Sequence, residues 1–289
     1  MTQEITRTAQ PLVVDGVGMT YGSGAAAHEV LRELTLRVEP GEFVCIVGPS
    51  GAGKTTLLRC LSGLLRPTAG TVKLGECPVT QPMAEIAVVF QDYRGSLMPW
   101  LRVRDNVAFP LQGMGVKKAE RLRRADESLA AVGLPDVGDK YPWQLSGGMQ
   151  QRVAVARAIA SLSPILLMDE PFGSVDAQSR FELEDLALRL RRDLDISVVV
   201  VTHDIDEAVY LSDRVIVVAG TPTHVVDNLR IDLGPERDQL TTRALPRFAE
   251  LRSRVLSEIR GLPVDDLAAG PVSTLPTATA APAPARSAG

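Results

Sequence analysis

Apolar and polar positions alternate along the first part of the chain. Residues 12–47 predict short strands joined by turns. The stretch "LRELTLRVEPGEFVCIVG" alternates, turns at Pro40–Gly41, and ends in an all-apolar strand, Phe43–Val47. A glycine-rich stretch, 48–53, follows. In "KTTLLRCLSGLL", Leu57, Leu58, Leu61 and Leu64 recur at helical spacing and predict one buried face. "GTVKLGE" and "IAVVFQ" predict strands. From Val103 to Ala160 the pattern turns helical, and "VKKAERLRRADESLAAVGL" predicts a charged amphipathic helix stopped by Gly133 and Pro135. The strand pattern then returns. "PILLMDEP" and "ISVVVVTHD" are near-continuous apolar runs, as expected of parallel strands buried on both faces. The amphipathic "DAQSRFELEDLALRLRRDL" lies between them. "DRVIVVAG" and "THVVDNL" predict an edge hairpin, and a last helix is expected over 246–260.

This alternation predicts an α/β protein with a parallel, doubly wound core. Its expected organisation is an N-terminal extension (1–10), one main domain (11–260) with a helical insertion at about 92–160, and a disordered tail (261–289) rich in Ala, Pro and Thr. No stretch predicts a membrane-spanning helix. The longest uncharged run, 267–285, holds Pro271, Pro276, Pro282 and Pro284. Work at a membrane would therefore rely on a partner chain. Net charge is −4, which argues against a broad nucleic-acid-binding face. Cys45, Cys60 and Cys77 show no CxxC spacing, and all three are expected to be buried, reduced thiols.

Candidate chemistry concentrates at strand ends. "GPSGAGKT" matches G-x-x-x-x-G-K-[ST] in full, directly after an apolar strand and before a helix. In such a phosphate-binding loop, Gly48, Pro49, Ser50, Gly51, Ala52 and Gly53 turn the backbone so that its N–H groups face the phosphates. Lys54 adds a point charge, Thr55 offers a hydroxyl to Mg²⁺, and Thr56 continues the helix N-terminus. "ILLMDE" ends a second strand in two carboxylates. Asp169 is the expected Mg²⁺ contact, and Glu170, facing differently, is the expected holder of the attacking water. Gln91 ends "IAVVFQ" and can bond the metal or the water. His203 follows four valines and can contact the γ-phosphate and orient Glu170. A second glycine pair, in "LSGGMQQR", opens a helix without any lysine.

Taken in order, these motifs resemble the ATP-binding subunit of an ATP-binding cassette (ABC) transporter over about residues 11–260. The match runs through Tyr21, the Walker A loop 48–55, Gln91, the signature 145–152, Asp169–Glu170, "GSVDA" with Asp176, and His203. The resemblance implies a P-loop ATPase of ABC type, with an N-terminal antiparallel β subdomain and an inserted helical subdomain. It implies that Tyr21 stacks on adenine and that Asp176 lies at a dimer interface. It also implies that Ser146, Gly147 and Gly148 bind the γ-phosphate of an ATP held by the opposite protomer of a homodimer. Within the family, "SLMPWLRVRDNVAFPL" and "RFAELRSRVLSEIR" resemble importers of nitrate, sulfonates and taurine, with Trp100 in the surface that docks a membrane permease. The expected setting is peripheral, at the cytoplasmic face of the membrane. A substrate-binding protein would be an indirect partner, ATP and Mg²⁺ the cofactors, and nucleic acid no partner. An exporter or another importer class is the alternative.

Overall fold

The computed structural model describes residues 10–262 apart from Ser174. The expected segments 1–9 and 263–289 lie outside the described residues. Three strands come first: β1 (Leu12–Tyr21), β2 (His28–Val38) and β3 (Phe43–Val47). Next come α1 (Lys54–Leu61), β4 (Ala69–Leu74), β5 (Cys77–Pro78) and β6 (Ile86–Val89). A helical stretch holds α2 (Tyr93–Ser96), α3 (Val103–Gly113), α4 (Lys118–Ala131) and α5 (Gly147–Ile159). The chain then runs through β7 (Ile165–Asp169), α6 (Ala177–Leu194), β8 (Ser197–Thr202), α7 (Ile205–Leu211), β9 (Arg214–Ala219), β10 (His224–Arg230) and α8 (Pro246–Arg260).

Two sheets result. The first, β2-β1-β4-β5, is antiparallel. The second runs β10-β9-β3-β8-β7-β6, and is parallel except for the β9–β10 hairpin at its edge. In β3 and β8 every residue is buried, which explains the all-apolar β3 and the four consecutive valines, Val198–Val201, of β8. Successive side chains nevertheless alternate between two cores. Phe43, Cys45, Val47, Val198 and Val200 face the helices, whereas Val44, Ile46, Val199 and Val201 face α1 and the antiparallel sheet.

Two sequence expectations need correction. α1 ends at Leu61, so Leu64 leaves the helical face and is exposed. Cys77 is also exposed, because β5 is a two-residue edge strand that nothing covers, whereas Cys45 and Cys60 are buried as expected.

Candidate ATP site

The C-terminal ends of the parallel strands meet at one edge of the sheet, and the expected chemistry gathers there. β3 leads into the loop 48–53, where Gly51 and Gly53 adopt left-handed φ values of +80° and +70°. A Cβ at Gly48 would lie 2.3 Å from the Val218 carbonyl oxygen, so that position admits glycine only. α1 opens at Gly53 with no side-chain cap. By contrast, Ser146 caps α5, Asp176 caps α6 and Asp204 caps α7 with their own oxygens. The first N–H groups of α1 therefore stay available for an anion.

Lys54 is buried beneath this loop, its Nζ donating to the carbonyl oxygens of Gly48 (2.9 Å) and Pro49 (2.8 Å). Burial lowers its pKa, while the charges of Glu170 and Asp169 act in the opposite direction. Thr55 Oγ1 donates to Asp169 Oδ1 at 3.2 Å. Asp169 is buried, and that burial raises its carboxyl pKa against the Thr55 hydrogen bond. Among the described residues no group of three or more His, Cys, Asp or Glu side chains could hold a metal by itself. One hydroxyl beside one carboxylate is the donor set of an ion that takes its other ligands from phosphates and water, which fits Mg²⁺.

Glu170 stands one residue beyond β7, with φ at +44°. Its N–H donates to the Val201 carbonyl (2.8 Å), which pins the turn to β8. The carboxylate is held from two sides. Gln91 Nε2 donates to Oε2 at 3.0 Å, and His203 Nδ1 lies 3.1 Å from Oε1. Gln91 thus pairs with Glu170, while Thr55 and Asp169 pair with each other.

The signature residues sit elsewhere. Ser146 Oγ accepts the Met149 N–H (3.3 Å), and Gly147 and Gly148 form the first turn of α5. Asp176 Oδ1 and Oδ2 accept the Ser179 N–H (3.0 Å) and hydroxyl (2.7 Å). A Cβ on Gly148 would come within 3.1 Å of that Ser179 hydroxyl. The structure therefore brings Gly148 and the Asp176 cap together. Arg152, at the end of the signature, pairs with Glu182 of α6 at 2.5 Å. Tyr21 ends β1 and is 40% exposed, while Trp100 is 73% exposed and so is not a core residue.

Sequence reading missed the residues behind His203. Buried Thr202 and Glu207 and half-buried Asp204 form a polar turn with Arg180 of α6. The pattern "THDIDEA" contained a signal for Asp204, since an acidic residue before an apolar helix is a cap.

A P-loop beside a buried acidic strand end, on a parallel sheet flanked by an antiparallel one, defines a nucleotide-hydrolysing ATPase. The family model described as ABC transporter matches residues 31–173. The taurine import ATP-binding protein TauB of Chromobacterium violaceum is 42% identical over 252 residues, covering 86% of this chain and 95% of that protein. The bicarbonate transport ATP-binding protein CmpD of Synechocystis is 38% identical over 253 residues, covering 86% and 89%. A solved ATP-binding cassette, described as a dimer in a post-hydrolysis state bound to ADP and Pi, superposes with a TM-score of 0.68. It is 33% identical, and the match covers 76% of this chain and 99% of that one. The chain belongs to the ATP-binding subunits of ABC transporters, and it binds and hydrolyses ATP. No helix among the described residues is long and apolar enough to cross a membrane.

Proposed function

We propose that two copies of this chain close around two ATP molecules and drive a membrane importer of a small anion. The observation that carries this reading is the Glu170 carboxylate, aimed and held by Gln91 and His203 beside a complete phosphate loop. A carboxylate with two such partners is fixed in orientation and can accept a proton from a water attacking the γ-phosphate. Lys54 turns from the Gly48 and Pro49 carbonyls to the β- and γ-phosphates, and the uncapped N-terminus of α1 adds its backbone N–H groups. Thr55 and Asp169 would hold a magnesium ion, which would neutralise phosphate charge. Tyr21 stacks on the adenine.

The signature helix serves the opposite protomer. Ser146, Gly147 and Gly148 offer backbone N–H groups without a cation, so the charge must come from the partner's loop. The related cassette with ADP and Pi is a dimer, which supports this pairing. Asp176, beside Gly148, lies at the same interface.

The unit is 11–260, with the helical part 92–160 carrying motion from the ATP site to a permease docked near Gln91 and Trp100. Relatives named for taurine import, bicarbonate transport and nitrate import support a small cargo that carries an anionic group. A periplasmic-type binding protein would deliver it, and the ATPase would sit on the cytoplasmic face. The test is ATP hydrolysis by the chain reconstituted with its permease and binding protein. Stimulation by taurine, nitrate or bicarbonate is expected. Stimulation only by a lipid or peptide presented from the ATPase side would overturn the importer reading.

A further inference from the structure

The Thr202–His203–Asp204 turn is clamped from both sides. Thr202 Oγ1 donates to Glu207 Oε2 at 2.8 Å, and the same oxygen accepts the Asp204 N–H at 3.0 Å. Asp204 Oδ1 in turn accepts the N–H groups of Asp206 (2.8 Å) and Glu207 (3.1 Å), which anchors the start of α7. On the far side stands Arg180. Its Nη1 donates to Asp204 Oδ2 at 3.4 Å, and its Nε lies 3.8 Å from Glu207 Oε1. Arg180 belongs to α6, and its N–H donates to the backbone oxygen of Asp176, the residue that caps that helix. Arg180 thus sits in the first turn of α6, through its backbone N–H to Asp176, and reaches with its guanidinium the turn that carries His203.

We propose that Arg180 and Glu207 are positioning residues that hold this turn and set where His203 sits against Glu170. The inference rests on the reading of His203 as part of the catalytic site. The arrangement is poorly suited to stability alone. Arg180 Nε is buried without a hydrogen-bond partner although the side chain is 32% exposed, and Glu207 is 3% exposed. At a position buried like Glu207, an apolar side chain of similar volume often serves stability as well or better. Four polar groups face Glu207: Thr202, Asp204, Arg180 and Glu184. Burial pushes its carboxyl up to about 8, so near neutral pH it is largely the uncharged acid. The Arg180 charge is then answered by Asp204, and the part of Glu207 that matters is an oxygen that accepts the Thr202 hydroxyl. Glutamine keeps such an oxygen, whereas alanine does not.

The test uses the full chain and its ATPase, with His203→Ala measured alongside. Arg180→Met and Glu207→Ala are expected to lower kcat about tenfold while the KM for ATP stays within about twofold. Glu207→Gln should recover most of the loss. Arg180→Lys keeps the charge without the guanidinium fork, and is the variant of choice if Arg180→Met fails to fold. Histidine-selective ¹⁵N NMR supplies a readout independent of turnover. Arg180→Lys should move the His203 imidazole signals and leave His28 and His224 in place. Unmoved His203 signals would overturn the proposal, as would a Glu207→Gln kcat as low as that of Glu207→Ala. If His203→Ala hydrolyses ATP like the parent chain, the catalytic reading of His203 falls instead, and the NMR result still decides whether Arg180 holds the turn.

Discussion

His203 Nδ1 lies 3.1 Å from Glu170 Oε1, although 33 positions (203 − 170) separate the two residues in the chain. The parallel pairing of β7 with β8 makes this possible. Asp169 is in register with Val201, so the residues just past each strand end face each other. Gln91 approaches the same carboxylate from the end of β6, on the other side of β7.

Glu170→Gln keeps the hydrogen-bonding shape but removes the proton acceptor. ATP hydrolysis should fall by about 10²–10⁴ while ATP binding persists. Nucleotide binding by equilibrium titration, steady-state ATPase and size-exclusion chromatography with ATP check this together. A dimer trapped by ATP is the expected elution, and near-parental turnover would count against the role of Glu170.

Trp100→Ala removes a large apolar side chain that solvent already reaches, so the isolated chain should keep its fold and its basal ATPase. Copurification with the permease should weaken, since exposed tryptophans tend to anchor interfaces. Undiminished copurification would remove Trp100 from the docking surface.

Glu207 makes stability depend on pH. Its folded-state pKa, about 8, exceeds that of an unfolded glutamate, so the folded chain keeps a proton that the unfolded chain loses. The stabilisation is complete below the unfolded value and is lost as pH rises through about 8. Over that window the slope reaches about 1.4 kcal/mol per pH unit for one group. Burial raises Asp169 and Glu184 in the same direction, and both stay in the variant. Denaturant unfolding at pH 5 and pH 8 should therefore show a larger stability loss for the parent than for Glu207→Gln. Equal losses in the two proteins would refute the assignment.

The cysteines should separate by reactivity. Cys45 and Cys60 are buried, with their thiols pushed up by desolvation, Cys60 to about 11. Cys77 is exposed. A thiol reagent should modify one cysteine quickly in the native chain and all three after denaturation, with Cys77→Ser abolishing the fast phase.

Much of the protein was determined by local pattern. Unbroken apolar runs marked β7 and β8 because strands covered on both faces need no polar alternation. The spacing of Gly48, Gly51, Gly53, Lys54 and Thr55 specified the phosphate loop, since a backbone cradle is built from consecutive residues. Tertiary structure alone decided what depends on neighbours distant in sequence. Leu64 fits the helical face by period, yet α1 stops at Leu61 and leaves it in solvent. Cys77 sits in an apolar-looking segment that becomes an uncovered edge. Gln91, Glu170 and His203 each end a separate stretch, and only the strand order β6, β7, β8 and its register bring them to one carboxylate. Arg180 reads as one charge on an amphipathic helix until α6 packs it against the Asp204 turn. Periodicity reports which face of an element is buried, whereas strand order and helix packing determine what that face meets.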